Sequence, residues 1–242
     1  MKQTSPSARS FTGGAMQIGI IGAGHIGGTL ARRLSALGHE VLVANSRGPE
    51  TLSALAAETG ATPVPAERAA RARDVVVVSI PEKNVRELGP DRFRSTGDGT
   101  VIVDTGNYYP QRDGRIDEIE AGTTESRWVS RRIGRPVVKA FNNIRAQRLL
   151  EGGRPRGEPG RIALPVAGDD PAAKRVVMRL IDELGFDAID AGGLDESWRQ
   201  QPGTPVYATD LDADGVRRAL SEARPERRPE FRAPASSSAD TG

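Results

Sequence analysis

Three glycines with the spacing of a phosphate-binding turn stand near the start of the chain. Gly22, Gly24 and Gly27 follow a short apolar segment, residues 17–21, and precede isoleucine and leucines at helical spacing. In such a turn the first glycine permits a tight bend, the second lets backbone approach a pyrophosphate, and the third lets the helix pack on the strand. The N–H groups and dipole at the start of the helix also favour a phosphate. The spacing therefore predicts a dinucleotide site. His25 is interpreted as a phosphate contact through its backbone N–H rather than as a catalytic base.

The end of the next predicted strand, residues 41–44, indicates which dinucleotide binds. An NAD site usually has Asp or Glu about 20 residues after the glycines, where the carboxylate accepts hydrogen bonds from the ribose 2′-hydroxyl. Here Asn45, Ser46 and Arg47 occupy that position. A hydroxyl and a guanidinium can hold a 2′-phosphate, which a carboxylate would repel, so NADP is favoured. The alternative is that Ser46 caps a helix and Arg47 is a solvated charge.

A run of four valines marks a central strand. Residues 74–80 read DVVVVSI, and a run without polar alternation is typical of a parallel strand buried on both faces. Ligands of parallel sheets lie beyond the carboxyl ends of the strands, which predicts that Ser79, Ile80 and Pro81 lie beside the cofactor. The alternative is a core strand that proline simply ends.

Two further strand ends contain polar residues where a nicotinamide and its reaction partner would lie. Residues 100–103 lead into Asp104, and residues 136–139 lead into Ala140 and Asn142. Lys139 stands among apolar residues, and a buried ammonium needs a partner. We regard Lys139 as a weak catalytic candidate, with a structural ion pair or an outward-pointing ammonium group as the alternative.

Composition excludes several classes of function. The chain has 34 basic and 32 acidic residues, a net charge of +2 and no long basic block, which argues against a nucleic-acid partner. It has no cysteine and two histidines, so disulfides, thiol nucleophiles and a His- or Cys-based metal site are not expected. Any redox chemistry must come from an organic cofactor. No segment has the length and apolarity of a membrane span, and we expect a cytoplasmic protein without a membrane partner.

Apolar periodicity predicts an α/β fold of the Rossmann type: a doubly wound, mostly parallel sheet with a small C-terminal appendage. About eight strands alternate with helices, the last two strands being residues 162–167 and 187–191. Met16 directly precedes the first strand and is a candidate natural start. The predicted organisation is a disordered tail (1–15), an NADP-binding domain (16–194), a C-terminal segment for substrate or dimer contacts (195–223) and a second disordered tail (224–242).

Several segments together resemble one enzyme family. IGIIGAGHIGGTLARRLSALGHEVLVANSR, VVVVSIP, RPVVKAFNNIRA and LPVAGDDPAAKRVVMRLIDELGFDAIDAGGL are similar to the F420H2:NADP oxidoreductases and their bacterial relatives. The same segments are similar to the NADPH-binding cytosolic domain of six-transmembrane metalloreductases. The resemblance covers about residues 17–194, and it implies a Rossmann fold, NADP as cofactor and a homodimer.

The resemblance also implies positions for the cofactor contacts. The family's NADP contacts fall on the glycine turn, on the 2′-phosphate position and along the nicotinamide half. With the residues argued from the strand ends, the predicted cofactor-binding set is Gly22, Ala23, Gly24, His25, Ile26, Gly27, Ser46, Arg47, Ser79, Ile80, Pro81, Ala140 and Asn142. Thr51 stands near the place where some members have a basic residue.

The sequence departs from the family at its C-terminal end. Archaeal members end in a Met- and Gly-containing helical segment that helps to hold the deazaflavin and the dimer partner, whereas residues 196–207 here read ESWRQQPGTPVY. Trp198 could stack on a planar ring, and Arg199, Gln200 and Gln201 could hydrogen-bond one. The alternative for these residues is a dimer contact or simple packing.

The sequence thus predicts an NADP-dependent oxidoreductase that moves hydride between the nicotinamide and a planar small-molecule redox partner, coenzyme F420 or a flavin. Such chemistry needs orientation and exclusion of water more than side-chain catalysis. One alternative is an NADPH-dependent reductase of a small imine, ketone or metal complex. It would need a proton donor, and no available residue has a convincing arrangement in the sequence. The weak catalytic candidates are Lys139 and Tyr207, and the other available donors are Tyr108, Tyr109 and Asp104. Another alternative is an NADP-binding sensor without turnover.

Overall fold

The computed structural model describes residues 14–234 of the 242-residue chain. Strands and helices alternate along it, as the apolar pattern predicts. The strands of the described part are β1 (Gln17–Ile21), β2 (Glu40–Ala44), β3 (Thr62–Pro63), β4 (Val75–Val78), β5 (Val101–Asp104), β6 (Val138–Lys139), β7 (Ala163–Val166) and β8 (Asp187–Asp190).

Within residues 14–234, the first six strands form one sheet in the order β3-β2-β1-β4-β5-β6. Every neighbouring pair in this sheet is parallel. The chain winds outwards from the central pair β1 and β4 in both directions, which confirms the predicted doubly wound architecture. In sheets of this order the ligand crevice lies outside the carboxyl ends of the strands where the winding reverses.

Strand β4 shows why the four valines lack alternation. All four are buried, with Val75 and Val77 in one apolar core and Val76 and Val78 in the other. Because successive side chains of a strand point to opposite faces, each face of the sheet receives two of them. The central strand is therefore covered on both sides, as predicted.

Helices cover both faces of the sheet. Helices α1, α8 and α9 contribute to the core that contains Val75, and α3, α4 and α7 to the core that contains Val76. No helix among residues 14–234 has the length and apolarity to cross a lipid bilayer. The α-helices described are α1 (His25–Ala36), α2 (Ser53–Thr59), α3 (Ala66–Ala69), α4 (Glu82–Leu88), α5 (Pro110–Asp113), α6 (Asp117–Glu120), α7 (Glu125–Ile133), α8 (Ala146–Glu151), α9 (Pro171–Glu183) and α10 (Ala213–Glu222).

The last two strands do not continue the main sheet. Strands β7 and β8 pair with each other in parallel and form a small second sheet. One antiparallel bridge joins it to β6, with Lys139 N to Ala167 O at 2.8 Å and Ala167 N to Lys139 O at 3.1 Å. The expectation that all eight strands share one doubly wound sheet is thus wrong. Apolar periodicity identifies strands but does not reveal that the chain reverses direction between β6 and β7.

The region after β8 packs on the second sheet. A 3-10 helix, Leu194–Gln200, lies against α7, and α10 lies against β7 and β8. Val216 and Leu220 of α10 share a small apolar cluster with Ile189 of β8. The region therefore shares its apolar core with the second sheet.

The described part of the C-terminal tail is ordered against the body of the protein. Arg227 donates to Glu125 Oε1 at 2.7 Å and to Gln201 Oε1 at 2.9 Å, and the Phe231 ring lies 6.2 Å from that of Tyr109. The predicted disorder from residue 224 is therefore wrong for residues 224–234, because one arginine of this polar segment neutralises a fully buried carboxylate. Residues 235–242, and residues 1–13 of the predicted N-terminal tail, lie outside the described residues.

We predict that Arg227→Ala destabilises the protein by about 3 kcal/mol, because it leaves the Glu125 carboxylate buried without its charge partner. The free energy of unfolding in urea measures the loss. The exposed neighbour Arg228 provides the control, and Arg228→Ala is expected to stay within about 0.5 kcal/mol of the unmodified protein. Equal stability of both variants would show that the tail does not pair with Glu125.

Candidate functional site

The glycine turn connects β1 to α1 at the centre of the sheet. Gly22 has φ +108°, and a Cβ there would lie 2.1 Å from the carbonyl oxygen of Ser79. A Cβ on Gly27 would lie 1.8 Å from the carbonyl oxygen of Gly22. Both positions require glycine, since any side chain would collide with backbone. The turn therefore brings the first turn of α1 directly against the carboxyl ends of β1 and β4.

Gly24 differs from the other two glycines. A Cβ on it would meet no described protein atom within 4 Å, and Gly24 and His25 are exposed. Gly24 is the N-cap of α1, and no side chain of the described residues caps this helix end. The backbone N–H groups of the first turn thus face open space, which is the cradle that a pyrophosphate needs. Ala23 and Ile26 are half-buried at its sides. These residues fit an NADP pyrophosphate.

The loop after β2 presents the predicted 2′-phosphate residues to solvent. Asn45 Oδ1 accepts a hydrogen bond from Arg47 N at 2.9 Å, and Asn45 Nδ2 donates to Thr51 Oγ1 at 2.8 Å. These bonds hold the loop, while Ser46 and Arg47 are exposed. Among residues 14–234, no ion pair involves the Arg47 guanidinium. The loop therefore leaves a hydroxyl and a cation free for a phosphate, and the Thr51 hydroxyl is used inside the loop.

The predicted nicotinamide wall follows β4. Ser79, Ile80 and Pro81 are half-buried, and Ser79 N donates to Ile21 O at 2.8 Å. Thr105 Oγ1 donates to Ser79 Oγ at 3.0 Å and so links this wall to the segment after β5. These hydrogen bonds join the carboxyl ends of β1, β4 and β5 beside the glycine turn.

The residues after β6 are more enclosed than expected. Ala140 is fully buried, and Asn142 is 4% exposed. Asn142 Nδ2 donates to Asn107 Oδ1 at 3.0 Å and to Gln200 O at 2.7 Å, and its Oδ1 accepts from Gln200 Nε2 at 2.9 Å. The amide therefore joins three chain segments and has no free hydrogen atom to offer a ligand. Direct cofactor contacts by Ala140 and Asn142 stay predictions.

Lys139 forms a buried structural ion pair, which is the alternative to a catalytic role. Its side chain is fully buried, and Nζ donates to Asp104 Oδ2 at 3.2 Å and to Gly106 O at 2.5 Å. Burial lowers the pKa of Lys139, but attraction to the carboxylates of Asp104 and Glu125 outweighs it, so the pKa lies above its usual range. A buried and charged ammonium of this kind holds β6 to β5 and does not donate protons at neutral pH.

Tyr207, the second catalytic candidate, is half-buried and pairs with another tyrosine. Its hydroxyl forms a hydrogen bond with that of Tyr109, which follows β5. The next residue, Ala208, donates its N–H to Asn143 O at 2.8 Å, which places the segment against the end of β6. Burial, followed by the bond to Tyr207, raises the pKa of Tyr109. The two hydroxyls stand near the carboxyl ends of β5 and β6.

The four residues predicted to hold a planar ring, residues 198–201, do not all face one cavity. Trp198 is half-buried with the Arg199 guanidinium 4.4 Å from its ring centroid, and it lines a cavity of about 820 Å³ between α7 and residues 225–232. Gln201 lines the same cavity but accepts from Arg227, and Gln200 points inwards to Asn142. No residue of the glycine turn or of the wall at 79–81 lines this cavity.

Sequence reasoning missed Glu82. This first residue of α4 is fully buried, and neither carboxyl oxygen has a hydrogen-bond partner among residues 14–234. Burial, followed by the nearby Asp104 charge, raises the pKa of Glu82 well above its usual range. Its sequence signal is ambiguous, because an acid after proline at a helix start is typical of an ordinary solvent-exposed first turn.

Comparison with known proteins adds a family. Residues 17–108 match the family model described as "NADP oxidoreductase coenzyme F420-dependent". The crystal structure of hypothetical protein SMa0349 from Sinorhizobium meliloti superposes with a TM-score of 0.71 at 33% identity, over 82% of this chain and 96% of that one. A putative F420-dependent NADP-reductase from Arthrobacter sp. FB24 gives 0.61 at 26% identity, over 74% and 86%.

The chain spans only part of the length of two curated proteins that it matches. Putative protein YjhV of Escherichia coli K12 is 49% identical over 90 residues, 37% of this chain and 58% of that protein. Metalloreductase STEAP3 of Rattus norvegicus is 28% identical over 180 residues, 74% of this chain and 34% of that protein.

The glycine turn, the doubly wound sheet and these likenesses agree, and the similarity to SMa0349 spans nearly all of that protein. The chain belongs to the family of coenzyme F420-dependent NADP oxidoreductases.

Proposed function

We propose that the protein binds NADP(H) across the carboxyl edge of its sheet and transfers hydride between the nicotinamide and a planar redox partner, coenzyme F420 or a flavin. The observation that carries the proposal is the open cradle at Gly24, flanked by two glycines that admit no side chain. The pyrophosphate would lie on the N–H groups of residues 23–26, and Gly22 and Gly27 would shape the turn beneath it.

The choice of NADP rests on the loop after β2. Arg47 and Ser46 are exposed beside the cradle, and residues 45–47 contain no carboxylate. A guanidinium can bind a phosphate through two parallel hydrogen bonds. The loop would thus hold the 2′-phosphate and gain little from a 2′-hydroxyl.

When bound, NADPH supplies the hydride. The protein's residues would orient the two rings and keep water away. Ser79, Ile80 and Pro81 would form one wall of the nicotinamide pocket. The amide of Asn142, bonded to Asn107 and Gln200, would fix the opposite strand ends.

The proposed positions of the cofactor and its partner assign a role to each segment of the chain. Residues 16–194 would form the NADP-binding domain, and residues 195–223 would position the redox partner or a second copy of the chain. The bond from Ala208 N to Asn143 O supports a role for the latter segment at the strand ends. The homodimer implied by the family resemblance stays a prediction.

Arg47→Ala is expected to weaken NADPH binding by about 1 to 3 kcal/mol, roughly 5- to 150-fold in Kd, because it removes a charge-assisted phosphate contact. NADH affinity should change far less, since NADH lacks the phosphate. Titration calorimetry with both dinucleotides measures the difference. Arg218→Ala, on the exposed side of α10, is the matched control. Equal weakening of NADPH and NADH by Arg47→Ala would contradict the phosphate role.

The redox partner is tested by oxidation of NADPH in separate assays with F420, FMN, FAD, ferric chelate and no acceptor, followed by absorbance. We expect turnover with F420 or a flavin. If only ferric chelate were reduced, the partner would be a metal complex. Binding of NADPH without turnover of any acceptor would refute the F420 and flavin assignment and favour the sensor.

One observation favours a second candidate function, the reduction of a small imine or ketone. Such a reaction needs a proton donor beside the reacting carbon, and the hydrogen-bonded hydroxyls of Tyr109 and Tyr207 stand near the strand ends. Tyr207 would donate, and Tyr109 would orient it.

For this second function, Tyr207→Phe should lower kcat on an imine or ketone by about 100-fold or more, while the Kd of NADPH stays unchanged. Hydride transfer to F420 or a flavin should fall much less. Steady-state kinetics of both reactions separates the cases. Unchanged kcat on an imine or ketone substrate would remove Tyr207 as the donor.

A further inference from the structure

The carboxyl group of Glu82 is buried at the start of α4, and Glu82 is the next residue in the chain after the proposed nicotinamide wall. Glu82 follows Pro81 in the chain and begins α4, and its side chain is 0% exposed. Neither oxygen has a hydrogen-bond partner among residues 14–234. A carboxylate without partners in such a place is costly, whereas a neutral carboxylic acid is tolerated.

A second carboxyl group, that of Asp104, lies close by, and both of its oxygens accept hydrogen bonds. A Cβ built on Gly106 would lie 2.6 Å from Glu82 Oε1 and 3.1 Å from Asp104 Oδ1. Both carboxyl groups therefore lie next to Gly106. Asp104 Oδ1 accepts from Gly106 N, and Oδ2 accepts from Ser126 Oγ and Lys139 Nζ. Burial, followed by repulsion from the Asp104 carboxylate, raises the pKa of Glu82 and favours its neutral form.

The charged groups around Glu82 balance if Glu82 is neutral. Asp104 of β5 pairs with Lys139 of β6, Glu125 of α7 pairs with Arg227, and Asp113 of α5 pairs with Arg112. Each of these three carboxylates has one cation. An ionised Glu82 would add an unbalanced negative charge to this cluster, and the causes that raise its pKa include all three carboxylates.

A change of charge on the nicotinamide would alter this balance. The nicotinamide ring is neutral in NADPH and cationic in NADP⁺. If the ring lies against Ser79, Ile80 and Pro81, as the proposed function holds, the new positive charge favours an anion near that wall. Among the residues of the cluster, Glu82 is the acid without a hydrogen-bond partner or a cation of its own, and it is the one that can supply that anion.

We propose that Glu82 is a proton-storing residue coupled to the oxidation state of the cofactor: it keeps its proton with NADPH bound and releases it to solvent with NADP⁺ bound. The step breaks the O–H bond of the Glu82 carboxyl group and leaves a carboxylate. It moves no electrons, because the hydride passes from NADPH to the acceptor. Glu82 touches no substrate and is a positioning residue that stabilises the cationic ring. The inference rests on the proposed function for the location of that ring.

The sign of the pH dependence follows from linkage. Because NADP⁺ binding releases a proton, NADP⁺ binds more tightly as the pH rises, by up to tenfold in Kd per pH unit for one full proton. NADPH binding releases no proton from Glu82, so this residue makes no contribution to the pH dependence of its Kd.

Titration calorimetry of the full chain in two buffers of different ionisation enthalpy measures the protons released. We expect release of up to one proton with NADP⁺ and none with NADPH at neutral pH. Glu82→Gln, a neutral isostere, should abolish the release and flatten the pH dependence of the NADP⁺ Kd, with NADPH binding unchanged. Glu87→Gln, an exposed glutamate of the same helix, is the matched control and should behave as the unmodified protein.

An infrared spectrum of the free protein provides a readout without any ligand. The carbonyl band of a protonated carboxyl group should be present at neutral pH, be absent in Glu82→Gln, and weaken when NADP⁺ is added. Release of the same number of protons by Glu82→Gln, or absence of the band from the unmodified protein, would overturn the inference. Failure of both NADP⁺ and NADPH to bind would instead overturn the proposed function on which it rests.

Discussion

Direct backbone contact at the centre of the sheet is the constraint on which the other features depend. The glycine turn lies so close to the end of β4 at Gly22, and α1 lies so close to the turn at Gly27, that a Cβ at either place would collide with a carbonyl group. This contact fixes the start of α1 above the carboxyl ends of β1 and β4. It also leaves Gly24 facing outwards with its neighbouring N–H groups unhindered. A site for an anion therefore arises from packing, before any side chain contributes.

The opposite half of the carboxyl edge is built on buried charges and amides. Lys139 and Asp104 join β6 to β5, and the amide of Asn142 joins both to Gln200. Groups so enclosed cannot turn towards a ligand without breaking several hydrogen bonds, so they act as a frame. This division suits hydride transfer, in which the rings react and the protein holds them.

The parts of the molecule that follow from local pattern could be predicted from sequence. The glycine spacing, the four valines of β4 and the absence of an acid at residues 45–47 each correspond to one local feature of the structure. What could not be predicted depends on distant partners. Arg227 looks like a solvated charge until the buried Glu125 is seen to accept from it.

The same reason explains the other differences. The reversal between β6 and β7 depends on a bridge from Lys139 to Ala167, and periodicity contains no information on strand direction. Glu82 lies against Gly106 and Asp104 at the end of β5, which are distant in sequence, while its own sequence resembles an ordinary helix start. Tertiary contacts thus decide the roles of those polar residues whose local sequence permits two interpretations.

The central claim is that the cradle at Gly24 and the loop at Arg47 together bind NADP. The most direct measurement is a crystal structure of the protein with NADP⁺. The account predicts pyrophosphate oxygens within hydrogen-bond distance of the backbone N–H groups of residues 23–26, and the 2′-phosphate beside Ser46 and Arg47. A dinucleotide bound elsewhere, or a 2′-phosphate directed away from Arg47, would contradict it.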